Sequence, residues 1–313
     1  MKGRGAPSNP QGRFERVARE SVEDGWFPDP DDAPGRPATT VTEERARSIV
    51  SRNQSPDIPF DASINPYRGC EHGCVYCYAR PSHAYLDLSP GLDFETRLYA
   101  KTNAAELLRA TLCKRGYQPT PINLGANTDP YQPIEKRYRV TRELLGVLAE
   151  ARHPCTIITK SAMVERDLDL LAPMARDGLV AVLVSVTSLD NRLSAKLEPR
   201  ASAPARRLRA IGNLAAAGIP VGVLASPVIP AVTDVDLEEI LAQAAAAGAT
   251  RASYALLRLP HEVAPLFREW LEEHLPERAS HVMSLVQQMR AGRDNDSRFG
   301  VRLRGEGVFA DLI

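Results

Sequence analysis

The chain has 313 residues, 43% hydrophobic and 25% charged, a composition that suits a globular protein with one large core or two smaller ones. Lys plus Arg and Asp plus Glu number 39 each, so no net field draws the chain to nucleic acid or to an anionic membrane. No apolar run reaches the roughly 20 residues that span a bilayer, and no apolar stretch follows Lys2 and Arg4 as a secretion signal would require.

Residues 1–60 differ from the rest: Pro7, Pro10, Pro28, Pro30, Pro34 and Pro37 recur, and Asp29, Asp31 and Asp32 cluster. Such a segment buries too little apolar surface to fold alone. We expect an extended, partly disordered N-terminal arm, pinned at aromatic points such as Trp26 and Phe27, with a short helix over Arg13–Glu20. From Asp61 the pattern changes to short apolar runs alternating with helical periodicity, the signature of βα units and a parallel sheet. The first strand includes Ile64 and leads into a cysteine loop. Asn103 is placed to cap a helix through Leu107, Leu108 and Leu112. Ile122-Asn123-Leu124 reads as the second strand, and Thr141 as the cap of a helix with Leu144, Leu145 and Leu148 on its apolar face.

Thr156-Ile157-Ile158 is the third strand and Leu168–Met174 part of the third helix. Leu179–Val186 is apolar and β-branched until its end, as a strand buried on both faces is. A fourth helix carries Leu208, Ile211 and Leu214 and stops at Gly218; Val221–Leu224 is the fifth strand. A fifth helix begins near Asp234 and runs on through Ile240 to Ala247, before a sixth strand at Ala252–Leu256. Helical stretches over Phe267–His274 and Ser280–Met289 close the chain, giving an arm at 1–60, a βα body at 61–260 and a C-terminal helical extension at 261–313. Periodicity alone fits both a partial (βα)6 TIM-like barrel and a doubly wound open sheet. In either, chemistry gathers at the carboxyl ends of the strands.

The most informative stretch is Cys70-Glu71-His72-Gly73-Cys74-Val75-Tyr76-Cys77, three thiols in a C-x3-C-x2-C frame. Three such thiolates can hold three irons of a [4Fe–4S] cube and leave the fourth iron open for a reactant. Gly69 and Gly73 give the backbone the positive φ that a tight wrap needs. A zinc site would have to recruit His72 or His83, with no second cysteine pair to help. An odd total of five cysteines in a long chain argues against a disulfide framework and for a reducing, cytoplasmic setting.

The C-x3-C-x-aromatic-C run resembles the S-adenosylmethionine-binding signature of radical SAM enzymes. Ile64-Asn65-Pro66-Tyr67-Arg68-Gly69 before it and Tyr78-Ala79-Arg80 after it are similar to a bacterial subgroup related to spore photoproduct lyase, as are Thr128–Pro133, Leu197–Arg200 and Pro227–Pro230. The resemblance implies a partial barrel with a cluster on Cys70, Cys74 and Cys77, S-adenosylmethionine as cofactor, and an electron donor of flavodoxin or ferredoxin type. It also implies a 5′-deoxyadenosyl radical that takes hydrogen from a substrate the sequence does not name.

Many radical SAM enzymes hold the cofactor amine with a Gly-Gly-Glu-like segment after the second strand. This chain has Gly125-Ala126-Asn127-Thr128-Asp129 instead, so Asn127 and Asp129 stand in by position; the same residues also read as ordinary turn chemistry. Ser185 and Thr187, on one side of the fourth strand's end, are candidates for the ribose hydroxyls or simply satisfied strand-end polars. Arg206, with Glu198 and Arg200 nearby, is a candidate for the cofactor carboxylate or a solvated helix start. Tyr76 is expected to meet adenine through its backbone. Cys113 and Cys155 read as buried small hydrophobes. A zinc-binding adaptor and a nucleic-acid lesion lyase stay open as alternatives. Against the lyase stands the lack of clustered basic residues beyond Arg200, Arg206, Arg207 and Arg209.

Overall fold

The computed structural model describes residues 3–15 and 38–313. Trp26, Phe27, the acidic cluster and all but the first residues of the expected Arg13–Glu20 helix lie outside them. Within the expected arm, strands β1 (Thr40–Glu44) and β2 (Val50–Arg52) belong to sheets. Their polar sequences gave no apolar alternation by which to recognise them, because one face of each is exposed.

β3 (Ala62–Ile64) opens the main sheet, and β4 (Tyr67–Arg68) comes directly after it. The short helix α1 (Asp93–Thr96) then leads into β5 (Arg97–Lys101). β1, β5 and β4 form a small three-stranded sheet beside the cysteine loop. After α2 (Ala104–Leu112) come β6 (Ile122–Leu124), α3 (Glu135–Tyr138), α4 (Val140–Glu150), β7 (Cys155–Thr159) and α5 (Leu168–Arg176). β8 (Val180–Ser185), α6 (Asn191–Leu197), α7 (Pro204–Ala216), β9 (Val221–Val228), α8 (Leu237–Ala246) and β10 (Arg251–Leu256) complete the alternation. Helices α9 (Val263–His274), α10 (Ala279–Gln288) and α11 (Val308–Leu312) end the chain.

β3, β6, β7, β8, β9 and β10 lie parallel in chain order, with β2 antiparallel outside β3. The order lacks the reversal that creates the switch point of a doubly wound sheet. The sheet does not close, since β2 and β10 are its edges. One register row crosses it: Ile64 beside Leu124, Leu124 beside Ile157, Ile157 beside Val182, and Val182 beside Val221. All five are buried, and Leu108, Leu144, Leu148, Leu171, Ile211 and Leu214 from the helices belong to the same core. A second core joins Val75 and Tyr76 of the cysteine loop to Leu256, Leu257, Phe267 and Trp270, so the C-terminal helical region beyond β10 packs against the loop beyond β3.

Two expected caps differ in detail. Asn103 stands at the N-terminus of α2, but its side chain accepts from Ala46 N–H at 2.9 Å and donates to the Ala46 carbonyl at 2.9 Å, tying in the loop after β1. Thr141 lies inside α4, with its hydroxyl donated to the Pro130 carbonyl. Cys155 is buried as expected, whereas Cys113, at the C-terminal cap of α2, is exposed.

Ile157→Ala, which opens a void in the middle of the register row, should destabilise the fold by about 2–5 kcal/mol. Cys113→Ser should leave the denaturant midpoint where it is. Equal midpoints for the two variants in chemical unfolding would contradict this packing.

Candidate active site

The turn after β3 is stitched to the turn after β6. Asn65 Oδ1 accepts from Asn127 N–H at 2.8 Å and Thr128 N–H at 3.3 Å, and the Thr128 hydroxyl donates to the Tyr67 carbonyl at 3.1 Å. Gln132 continues the seam, donating to the Gly69 carbonyl at 3.1 Å and accepting from Glu71 N–H at 2.8 Å. Gly69 and Gly73 both have positive φ, +72° and +68°. A Cβ on Gly73 would lie 2.5 Å from Glu95 Oε2, so the loop needs glycine there twice over.

Beneath the loop lies Arg80, fully buried, with five hydrogen bonds. It donates to the carbonyls of Cys74 (2.9 Å), Gly73 (3.2 Å), Pro90 (3.1 Å) and Gly91 (2.8 Å) and to Glu95 Oε1 (2.8 Å). Glu95 is itself fully buried, and it also accepts from Gly5 N–H at 3.0 Å and Ala6 N–H at 2.8 Å. The N-terminal segment is thus held here by backbone amides, while Phe14 meets Tyr85 at 5.0 Å further out.

The three loop thiols are free; Cys70 and Cys74 are buried and Cys77 half-buried. Burial pushes all three thiols up, and Asp129 adds to the rise at Cys70 as Glu198 does at Cys74. Working the other way, the Asp129 amide faces Cys70, the Ala79 and Arg80 amides face Cys77, and Lys160 lies near Cys74 and Cys77. Thiols raised in this way carry protons at neutral pH, which a bound cation must displace.

Asp129 sits at the carboxyl side of β6 with both oxygens engaged. Oδ1 accepts from Tyr131 N–H at 2.9 Å and the Thr159 hydroxyl at 2.7 Å, and Oδ2 accepts from Lys160 N–H at 2.7 Å. His72 Nδ1 stands 3.3 Å from Oδ2. Burial alone would raise this carboxyl, but His72 and the hydrogen bonds outweigh it and bring it below its ordinary value.

A second buried carboxylate, Glu198, collects the remaining groups. Lys160 Nζ lies 3.0 Å away and Thr187 Oγ1 2.7 Å away, and the Tyr76 hydroxyl and Arg207 guanidinium both donate to it. Burial would raise Glu198 too, yet Arg207 and Lys160 hold it well below the usual carboxylate range. Lys160 also donates to Thr187 Oγ1 and to the Ser226 carbonyl, each at 3.1 Å, and stands 5.6 Å from the centre of the Tyr76 ring. Groups from the ends of β7, β8 and β9 thus meet the cysteine loop at one place.

Of the residues expected from sequence, Cys70, Cys74, Cys77, Tyr76, Asp129 and Thr187 gather here. Ser185 is buried at the end of β8, where its carbonyl accepts from Arg207 at 3.1 Å; Thr187 lies just beyond the strand. Asn127 is exposed and contributes its amide to Asn65. Arg206 points outward to Glu165, at 2.9 Å, and its neighbour Arg207 is the arginine aimed into the site. Lys160 escaped notice in the sequence, although its place directly after the third strand was a usable signal.

The family model of the radical SAM superfamily matches residues 64–244, more than half of the chain. An uncharacterised protein of Mycobacterium tuberculosis is 40% identical over 233 residues, covering 74% of this chain and 68% of that one. One from Methanocaldococcus jannaschii is 27% identical over 192 residues, covering 61% and 69%. Among solved structures, spore photoproduct lyase complexed with dinucleoside spore photoproduct superposes with a TM-score of 0.52 at 17% identity, over 76% of this chain and 66% of the lyase. A lyase variant with bound S-adenosylmethionine and the same photoproduct gives the same score, identity and coverage, and at that identity the likeness is one of fold. The chain belongs to the radical SAM superfamily of enzymes, which use a [4Fe–4S] cluster and S-adenosylmethionine.

Proposed function

We propose that this enzyme carries its cluster on Cys70, Cys74 and Cys77 and uses S-adenosylmethionine there to abstract hydrogen from a substrate at the carboxyl ends of the parallel strands. The observation that carries the reading is the cysteine loop itself: three free, shielded thiols on a backbone locked from below by Arg80. Among the described residues no three His, Cys, Asp or Glu side chains group tightly enough to share one metal ion. A cube takes one thiolate per iron, whereas zinc would need a fourth ligand, and His72 has its Nδ1 3.3 Å from Asp129 Oδ2. His83, the other ligand a zinc site could recruit, has its Nε2 at the Arg97 carbonyl, 2.9 Å away.

The strand order, together with the shared core of the β10 end and the cysteine loop, supports a partial (βα)6 barrel carrying an N-terminal arm and a C-terminal extension. When bound, the cluster and S-adenosylmethionine supply reductive cleavage to a 5′-deoxyadenosyl radical. Lys160 and Thr187 would meet the cofactor's carboxylate and ribose. Asp129 positions Lys160 through its backbone amide and offers an anionic face to the cofactor amine, with Asn127 beside it. Tyr76, its hydroxyl tied to Glu198, is left to meet adenine through its backbone. Arg206, bound to Glu165, would reach the carboxylate only by leaving that partner, and Ser185 would act through the Arg207 contact. A flavodoxin- or ferredoxin-type donor would supply the electron, in a cytoplasmic setting.

Cys70→Ala, Cys74→Ala and Cys77→Ala should each abolish iron–sulfur absorption after anaerobic reconstitution, together with 5′-deoxyadenosine formation under dithionite; retention of both in any one would sink the ligand assignment. Lys160→Ala should keep the cluster but weaken S-adenosylmethionine binding roughly 10- to 100-fold, the worth of a hydrogen bond to a charged group; an unchanged dissociation constant would remove Lys160 from the cofactor site. Arg80→Lys, which cannot reproduce the planar fork, should weaken cluster retention roughly 10- to 100-fold, as loss of outer-shell support does. Iron release to a chelator reads this, and wild-type release rates would contradict it.

A further inference from the structure

Three arginines pack around the carboxyl end of β10; the Nε of each is buried without a hydrogen bond, but two of them have other partners for the guanidinium. Arg290 donates to the carbonyls of Val301 (2.8 Å), Leu256 (3.3 Å) and Leu257 (2.9 Å). Arg302 pairs with Asp57 and donates to the Ser55 hydroxyl. Arg258 differs. Among the described residues no carboxylate, carbonyl or hydroxyl engages its guanidinium, and its Nε is shut off from solvent without an acceptor.

A ring holds Arg258 in place. Its Cζ lies 5.3 Å from the centre of the Tyr78 ring, and Tyr78 is the residue directly after the last cysteine of the loop. The Tyr78 hydroxyl donates to the Ala126 carbonyl in the turn after β6, while the residue stays 46% exposed. Guanidinium and ring thus bridge the β10 edge to the cysteine loop at the rim of the site. A guanidinium stacked on an aromatic face keeps its in-plane N–H groups free for a planar or tetrahedral anion. A half-buried cation whose neighbouring carboxylate, Asp57, is already paired with Arg302 is costly unless something anionic completes it. Lys160, by contrast, already has a carboxylate partner in Glu198.

We propose that Arg258 is a substrate-recognition residue that receives an oxyanion of the substrate, a phosphate or a carboxylate, at the mouth of the site. The location of that mouth rests on the radical SAM reading of the cysteine loop. The substrate class implied is an anionic molecule whose reacting C–H bond lies inward of its charged group.

The test is calorimetric titration of the cluster-loaded full chain, with S-adenosylmethionine present, using inorganic phosphate in one arm and acetate in the other. One saturable site is expected for at least one of the two anions, and the preferred anion names the group. Arg258→Gln should weaken it about tenfold or more, as loss of a charge-assisted pair does, whereas Arg258→Lys should keep most of it. Three results would overturn the proposal: equal affinity in the wild type and Arg258→Gln, no saturable binding of either anion, or loss of the anion site whenever S-adenosylmethionine is added. The last would give Arg258 to the cofactor's carboxylate. Absence of 5′-deoxyadenosine in the wild-type preparation would strike the functional reading instead, and leave the anion titration standing.

Discussion

The arrangement of this molecule turns on one buried ion pair, Arg80 with Glu95. Neither side chain is exposed, and their closest approach is 2.8 Å. Buried charges are stable only when every polar direction is satisfied, and here the surplus donors and acceptors are spent on backbone. Arg80 takes up carbonyls of the cysteine loop on one side and of Pro90 and Gly91 on the other. Glu95 takes up the amides of Gly5 and Ala6. The pair converts a loop with two positive-φ glycines into a fixed platform and fastens the N-terminal segment beneath it.

Above that platform the charges are arranged in opposition. Asp129 and Glu198, both drawn below their ordinary values, face the thiols of Cys70 and Cys74. Lys160 stands between them, bonded through its amide to one carboxylate and through its ammonium to the other. A site so balanced can take a ligand carrying an amine and a carboxylate without a large change in net charge, which suits an amino-acid-derived cofactor. Arg258, on the far rim, is the cation outside this balance.

Much of this was legible in the sequence. The cysteine spacing is local, and the six parallel strands declare themselves by apolar runs such as Val180–Leu183, whose burial repeats across the sheet. Arg206 and Arg207 mark the limit. Adjacent residues on a helix point about 100° apart, and only the packing of α7 against β8 decides which faces inward. The bonds of Asn103 to Ala46 and of Glu95 to Gly5 join residues far apart in the chain, and no periodicity encodes them. β1, β4 and β5 were missed for a similar reason, since a small sheet with one exposed face leaves no continuous apolar run.

The central claim is that the three loop cysteines leave one iron open and that S-adenosylmethionine occupies it. The most direct measurement is electron paramagnetic resonance of the reduced, reconstituted protein with S-adenosylmethionine labelled at its carboxylate oxygen and amine nitrogen. The account predicts a changed cluster signal on addition of the cofactor, with hyperfine coupling to both labels. A reduced cluster whose signal is the same with and without S-adenosylmethionine, and without coupling to either label, would contradict it.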